Sequence, residues 1–326
     1  MPGFAAPGLV SPLPAVPYTA LLEAIAAVPA LPLDACRVFH GRGGVHPGCE
    51  HLTLDCYPPV WLLTSFQPLP EDELAAIQAA LAARWAELAP GQPLNLVFQH
   101  RDEVRAETRL LCGEVPEPHI VTEQGARFKV HLMRGMNHGL FLDMAEGRRW
   151  VREHIAARPG ARVLNLFAYT CAFSVVALQA GARQVLNMDM ASGPLNIGKQ
   201  NHQLNDVAKG ASFLPHDVFS SWGKITRSGP YELIILDPPT YQKGSFVAEK
   251  DYARLMRRLP DLLVPGGHVL VCLNSPKLGE GFLTELMAAE APGLRYVARL
   301  ANPAVFEDVS PDRALKVLVY TQPSRI

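Results

Sequence analysis

The hydrophobic and polar positions fall into two textures along the chain. From about Cys36 to Ile120, short apolar runs are divided by turn residues, with one helical period among them. His51–Asp55 and Val60–Thr64 read as strands on either side of a Tyr57-Pro58-Pro59 turn. Leu74, Ile77, Leu81 and Trp85 recur at helical spacing behind Pro70, which predicts an amphipathic helix over Glu71–Leu88. Leu94–Gln99 reads as another strand. A strand-strand-helix-strand-strand order therefore predicts a small α+β domain over residues 36–122.

From about Gly160 strands and helices alternate. Apolar strands are expected at Val163–Phe167, Val185–Met188, Ala211–Pro215, Leu233–Leu236 and His268–Leu273. Helices are expected at Phe173–Ala180, Gly193–Leu204 and Tyr252–Leu263. Such alternation predicts a parallel sheet covered on both faces. Leu294–Leu300 and Leu315–Tyr320 follow closely enough to pair as an antiparallel hairpin at its edge.

Ahead of both regions lies a Pro-rich leader, residues 1–35, in which Tyr18–Val28 reads as a short helix. No Lys or Arg precedes Arg37, and Glu23 interrupts the longest apolar stretch. Neither a secretory signal nor a membrane span of about 20 apolar residues is expected, and the protein is placed in the cytoplasm. Six cysteines (36, 49, 56, 112, 171 and 272) form no CxxC pair. His40, His46, Cys49, His51 and Cys56 cluster, but their spacing matches no common zinc finger or ribbon, so reduced thiols and turn histidines are expected rather than a metal. The net charge of −1 provides no global attraction for nucleic acid, which would need a local basic face. Arg148, Arg149 and Arg152, with Arg254, Arg257 and Arg258, are the candidate clusters for such a face.

In a doubly wound sheet, ligands bind beyond the carboxyl ends of the strands at the point where strand order reverses. The loop after the first strand, Phe167-Ala168-Tyr169-Thr170-Cys171-Ala172, has no GxGxxG, which speaks against a dinucleotide pyrophosphate. Its small residues Ala168, Thr170 and Ala172 suit a nucleoside without phosphates, such as S-adenosylmethionine (SAM). Asp189, at the end of the second strand, is placed to accept from a ribose diol, with Met190 packing on adenine. Asp217 is placed to accept from the adenine amino group, with Val218 or Phe219 beside the ring. Two prolines directly after an apolar strand, in Leu236-Asp237-Pro238-Pro239-Thr240-Tyr241, stop the ladder and leave Asp237 facing the cleft. Tyr241 can stack on a planar acceptor.

Asp237-Pro238-Pro239-Thr240-Tyr241, Asn165-Leu166-Phe167-Ala168-Tyr169-Thr170, and Gly139-Leu140-Phe141-Leu142-Asp143 with Arg148-Arg149 resemble the bacterial 23S ribosomal RNA methyltransferases. The branch concerned holds the 5-methylcytosine enzymes and the 7-methylguanine half of a fused guanine methyltransferase. The His40-Gly41-Arg42 to Pro47-Gly48 turn resembles the start of that family's strand-rich domain, and the resemblance runs from about residue 36 to the end. The PUA RNA-binding domain that opens the 5-methylcytosine members has no counterpart in it. The resemblance implies an α/β fold, a Rossmann-like seven-stranded SAM methyltransferase domain over 123–326 behind the small α+β domain. It implies SAM as cofactor, ribosomal RNA as substrate partner, and no membrane or metal. Phe141 and Asp143 would lie near the cofactor, Phe167 to Thr170 would line its methionine end, and Asn165, Cys171, Asp237 and Pro238 would complete the set. The family usually has Gly where this chain has Cys171.

Cytosine C5 is a poor nucleophile, and attack there needs a thiolate to add first to C6. In the 5-methylcytosine members that Cys follows the strand after a Gly-Gly turn. Counting from Gly266-Gly267, Asn274 takes its place, as in the 7-methylguanine type, while Cys272 is expected to be core. The expected acceptor is a nitrogen, with Asp237 and Asn274 orienting the base and Tyr241 stacked on it. Two rivals stay open at this level: transfer to a protein side chain or small molecule, and a non-catalytic SAM-fold RNA-binding or assembly factor.

Overall fold

The computed structural model describes residues 18–102, 105–242 and 246–324, so the Pro-rich leader lies outside it as far as residue 17. Helix α1 (Thr19–Ala26) buries Leu21 and Ile25 in a core shared with Trp61 and the Leu74, Ile77, Leu81, Trp85 stripe. The strands β1 (Cys36–His40), β2 (Leu52–Tyr57) and β3 (Val60–Ser65) precede helix α2 (Glu71–Leu88), and β4 (Asn95–Arg101) and β5 (Ala106–Cys112) follow it. They form one five-stranded sheet in chain order. Only β3 and β4 run parallel, because α2 crosses between them and the other connections are hairpins. The edge strand β1 is an addition to the expected order. It buries only Phe39, so it carries no alternating apolar signal.

A hairpin of β6 (His119–Glu123) and β7 (Ala126–Val130) turns through Gln124-Gly125, both at positive φ, as a two-residue hairpin loop requires. The boundary expected after residue 122 falls inside this hairpin. Its β6 side holds Asp34 and Ala35 through Thr122.

Beyond it come α3 (Ala145–Ala156), β8 (Arg162–Leu166), α4 (Ala172–Gln179), β9 (Gln184–Asp189), α5 (Ser192–Leu204), β10 (Ala211–Pro215) and α6 (Trp222–Ser228). Then follow β11 (Tyr231–Leu236), a two-residue ladder of β12 (Tyr241–Gln242) with β13 (Phe246–Val247), α7 (Ala248–Met256), α8 (Leu259–Leu262), β14 (Leu263–Leu273), α9 (Glu280–Glu290), β15 (Arg295–Arg299) and β16 (Lys316–Thr321). The side chains of Asn201 in α5 and of Asn205 just past its end accept from the Lys129 and Arg127 N–H groups of β7, so the hairpin is tied to α5.

The second sheet has the order β10-β9-β8-β11-β14-β16-β15, with strand order reversing between β8 and β11. The strands from β10 to β14 are parallel, and the β16–β15 hairpin closes the edge antiparallel. Alternate residues enter opposite cores: Val163, Leu233 and Ile235 on one face, Leu164, Ile234 and Leu236 on the other. Burial on both faces is why these strands read as continuous apolar runs. The single helix expected over Tyr252–Leu263 is two pieces, because Pro260 has no N–H with which to continue the first.

Candidate active site

A cleft of about 340 Å3 opens beyond the carboxyl ends of β8, β9 and β11. Its rim is the loop after β8, where Phe167, Tyr169 and Cys171 take positive φ values of 57, 48 and 63°. The left-handed region costs a non-glycine residue roughly 1–2 kcal/mol, so the surroundings must hold the loop there. Ala168 N–H donates to the Met188 carbonyl at 3.0 Å, and Tyr169 N–H donates to Asp189 Oδ2 at 2.9 Å. Gly139 locks the other side: its N–H donates to the Tyr169 hydroxyl at 3.1 Å, and its carbonyl accepts from Thr170 Oγ1 at 2.6 Å. A Cβ at Gly139, whose φ is 102°, would lie 2.8 Å from the Lys129 carbonyl oxygen. The two separate motifs, Gly139–Asp143 and Asn165–Thr170, thus meet, with the Phe141 and Tyr169 rings 5.1 Å apart.

The floor is a buried polar chain invisible to local pattern. Asn165 Nδ2 donates to Asn187 Oδ1, Asn187 Nδ2 donates to Ser174 Oγ, and Ser174 faces His202 Nε2 at 2.8 Å. His202 Nδ1 lies 2.6 Å from the Gly198 carbonyl, which can only accept. That fixes a neutral imidazole protonated on Nδ1, in keeping with burial pushing its pKa down.

Asp189 Oδ1 accepts from Ala191 N–H at 2.8 Å, so each of its oxygens shapes a loop and keeps a lone pair for a ligand. Deeper, Asp143 and Asp237 share the cleft with Arg148. Burial, with Asp143 nearby, pushes Asp237 up to about 7 against the opposing pull of Arg148. Burial also raises Asp143, opposed by Arg37 and Arg148. Arg148 is buried in a two-bond pair with Glu123, both contacts 2.6 Å, and donates to the Phe141 carbonyl at 2.8 Å. Glu123 therefore answers its charge, and Asp143, Asp189 and Asp237 leave the cleft acidic.

Most of the expected site converges here: Phe141, Asp143, Asn165, Phe167, Ala168, Tyr169, Thr170, Asp189, Asp237, Pro238, Tyr241 and Asn274 all line the cleft. Four residues are not in its lining. Cys171 is fully buried beneath the loop with Ala168 and Leu195. Met190 is 46% exposed outside it. Val218 is packed in the core, and Asp217 Oδ1 accepts from Phe219 N–H at 3.2 Å. Both follow β10, the edge strand, two strands away from the reversal of order.

Asn274 follows β14, and its carbonyl accepts from Thr240 Oγ1 at 2.6 Å, which ties the Asp-Pro-Pro corner to that strand end. Tyr241 is 67% exposed at the mouth. Cys272 is fully buried, and burial pushes its thiol well up.

The expected basic clusters do not form a basic face. Arg148 is internal, Arg149 pairs with Glu146, Arg254 with Asp251 and Arg257 with Glu290, while Arg258 lies over Trp222. Arg152 lies 3.5 Å from Gln179 Oε1. Instead, a second cleft of about 340 Å3 runs between the five-stranded sheet and the seven-stranded one. It shares Asn137, Leu140, Phe141, Asp143 and Asn274 with the first. The sequence hinted at it only through the His40-Gly41-Arg42 turn. Among the described residues no group of three His, Cys, Asp or Glu side chains could hold a metal, and no helix is long and apolar enough to cross a membrane.

A seven-stranded doubly wound sheet with an antiparallel closing hairpin, and an acidic cleft without a GxGxxG loop at its reversal point, is the architecture of a SAM-dependent methyltransferase. The chain belongs to the S-adenosylmethionine-dependent methyltransferase family, whose model matches residues 36–321. It is 28% identical to ribosomal RNA large subunit methyltransferase I of Aeromonas salmonicida over 250 residues, which cover 75% of this chain and 62% of the relative. It is 35% identical to ribosomal RNA large subunit methyltransferase K/L of a Psychrobacter species over 192 residues, 56% of this chain but 23% of the relative. The chain thus spans less than two thirds of the length of either. A Streptococcus mutans structure assigned to the SAM-dependent methyltransferases shares the fold at a TM-score of 0.76 and 24% identity, covering 93% of this chain and 81% of that one.

Proposed function

We propose that the chain methylates a nitrogen of a base in ribosomal RNA, in the cytoplasm, with SAM as methyl donor. The observation that carries the nitrogen reading is at Asn274. This amide stands in the lining of both clefts at the strand end where a nucleophilic Cys would be needed, and the thiol of Cys272 is sealed in the core. The names of the two relatives support RNA as the substrate.

The acidic cleft fits the cofactor. SAM carries a sulfonium and an ammonium and no phosphate, and three carboxylates face the space. Phe141, Asp143, Asn165, Phe167 to Thr170 and Asp189 would hold it, with Pro238 stiffening the wall. When bound, it supplies a methyl group already made electrophilic by the sulfonium. The chain's task is then alignment and exclusion of water. Asp237, with its pKa near neutrality, accepts an N–H of the base and can take its proton. The Asn274 amide offers a donor and an acceptor to the base edge, and Tyr241 stacks on its face.

Incubation with labelled SAM, total bacterial RNA and, separately, a protein extract tests this reading. Label is expected in the ribosomal RNA. Label confined to protein would overturn the RNA substrate, and no transfer to either would overturn the enzymatic role.

A further inference from the structure

The second cleft is lined by guanidiniums of which two have no carboxylate partner among the described residues. Of the guanidiniums lining it, Arg37 is held by Asp55 through two bonds of 2.7 and 2.9 Å, and Arg313 lies 3.9 Å from Asp308. Arg42 and Arg101 have no carboxylate partner among the described residues. Both instead lie over one aromatic ring, that of Phe66, at 4.0 and 5.7 Å from its centroid. Arg101 is fixed further by donating to the Met136 carbonyl at 3.1 Å. Two like charges gathered at one ring repel each other, and burial disfavours both, so an anion placed between them would be favoured.

A second observation points to a ligand independently. Gln99, fully buried in the same lining, donates through Nε2 to Thr108 Oγ1 at 3.0 Å and the Gly135 carbonyl at 3.1 Å. Those bonds fix its orientation, and its Oε1 is then a buried acceptor with no partner among the described residues. A buried acceptor left unmade costs about 1–3 kcal/mol, which an N–H or O–H of a ligand would recover.

We propose that Arg42 and Arg101, stacked on Phe66, bind a backbone phosphate of the RNA strand whose base enters the adjoining cleft past Asn274, with Gln99 accepting from the same strand. This rests on the RNA reading above. The guanidiniums offer flat forks matched to phosphate oxygens, and the shared wall of Asn137, Leu140, Phe141 and Asp143 joins this station to the acidic cleft. The cation carried by the cofactor and the anion carried by the acceptor would thus meet opposite fields on two sides of one wall.

The test is binding of a fluorescent single-stranded RNA oligonucleotide as a function of salt, with Arg42→Gln, Arg101→Gln and, as a control on a paired arginine, Arg257→Gln. Arg42→Gln and Arg101→Gln should each weaken binding several-fold and lower the salt slope by about 1, as loss of one phosphate contact does. Arg257→Gln should match the wild type, and SAM affinity by calorimetry should be unchanged in all three. RNA binding that survives both cleft substitutions would overturn the site while leaving the RNA reading intact. If the wild type binds no RNA, the RNA reading fails, and tripolyphosphate decides the rest. Binding of that anion lost in Arg42→Gln would keep an anion site here, and no Arg42-dependent binding would overturn it as well.

Discussion

Cys171 and Gly198 are a matched pair. Cys171 sits at φ 63° at the start of α4, and a Cβ built on Gly198 would lie 2.5 Å from its Sγ. The missing side chain on α5 is what makes room for the thiol. Gly198→Ala should destabilise the protein by about 1–3 kcal/mol through overpacking, and most of that cost should vanish in a Cys171→Gly background. Urea unfolding of the four proteins of that cycle measures the coupling. Equal costs of Gly198→Ala in both backgrounds would show that the two positions are independent.

Asp189 holds the loop after β8 through Oδ2 and the turn to Ala191 through Oδ1, and in the proposed site it also takes the nucleoside. Asp189→Ala should weaken SAM binding by roughly 1.5–3 kcal/mol, the scale of hydrogen bonds to a charged group. Asp189→Asn can still accept the Tyr169 or Ala191 N–H and should recover part of it. Unchanged affinity in Asp189→Ala, measured by calorimetry, would remove this residue from the cofactor site.

Glu123 and Arg148 form a buried ion pair beneath the cleft. Removing one partner strands a buried charge, so Glu123→Ala should cost about 3–5 kcal/mol of stability. Removing both, as Glu123→Leu with Arg148→Met, should cost clearly less than the two single changes added together. Additive losses in urea unfolding would mean that the pair is not coupled.

The parallel core was legible because each strand is buried on both faces and so is apolar throughout, as at Leu233–Leu236. The Asp-Pro-Pro corner was legible because its prolines interrupt that run. What escaped was set by tertiary contact. Strand β1 buries one residue, and α3 is dominated by charges whose fates differ: Arg148 turns inward to Glu123 while Arg149 stays at the surface. Adjacent arginines look alike in sequence, so an inward-facing and an outward-facing one could not be told apart. Arg42 and Arg101, without a carboxylate partner among the described residues, come from segments 59 residues apart in number and meet at Phe66. Asp217 and Val218 follow β10, the edge strand of the sheet, and are not in the lining of the cleft.

Asp237 should make activity and stability respond to pH in opposite directions. Its carboxyl is raised to about 7 in the folded chain, from about 4 when unfolded. The folded state therefore holds its proton more tightly, and the stability this gives is complete below about pH 4 and lost as pH rises through 7. Asp237→Asn has no such loss, so its melting temperature should gain on that of the wild type between pH 5 and 8. A constant difference across that range would contradict the raised pKa. In the proposed mechanism methyl transfer needs the ionised carboxylate as acceptor, so activity should fall as pH drops below 7.

The most direct test of nitrogen transfer to an RNA base is nucleoside mass spectrometry. Ribosomal RNA is incubated with the protein and methyl-deuterated SAM, digested, and its labelled nucleoside compared with N-methyl and C5-methyl standards. The site built by Asp237 and Asn274, with Cys272 sealed away, predicts an N-methylated base whose label disappears in Asp237→Ala. Deuterium in 5-methylcytidine would contradict the account, because that product requires a thiolate at a position occupied by an amide.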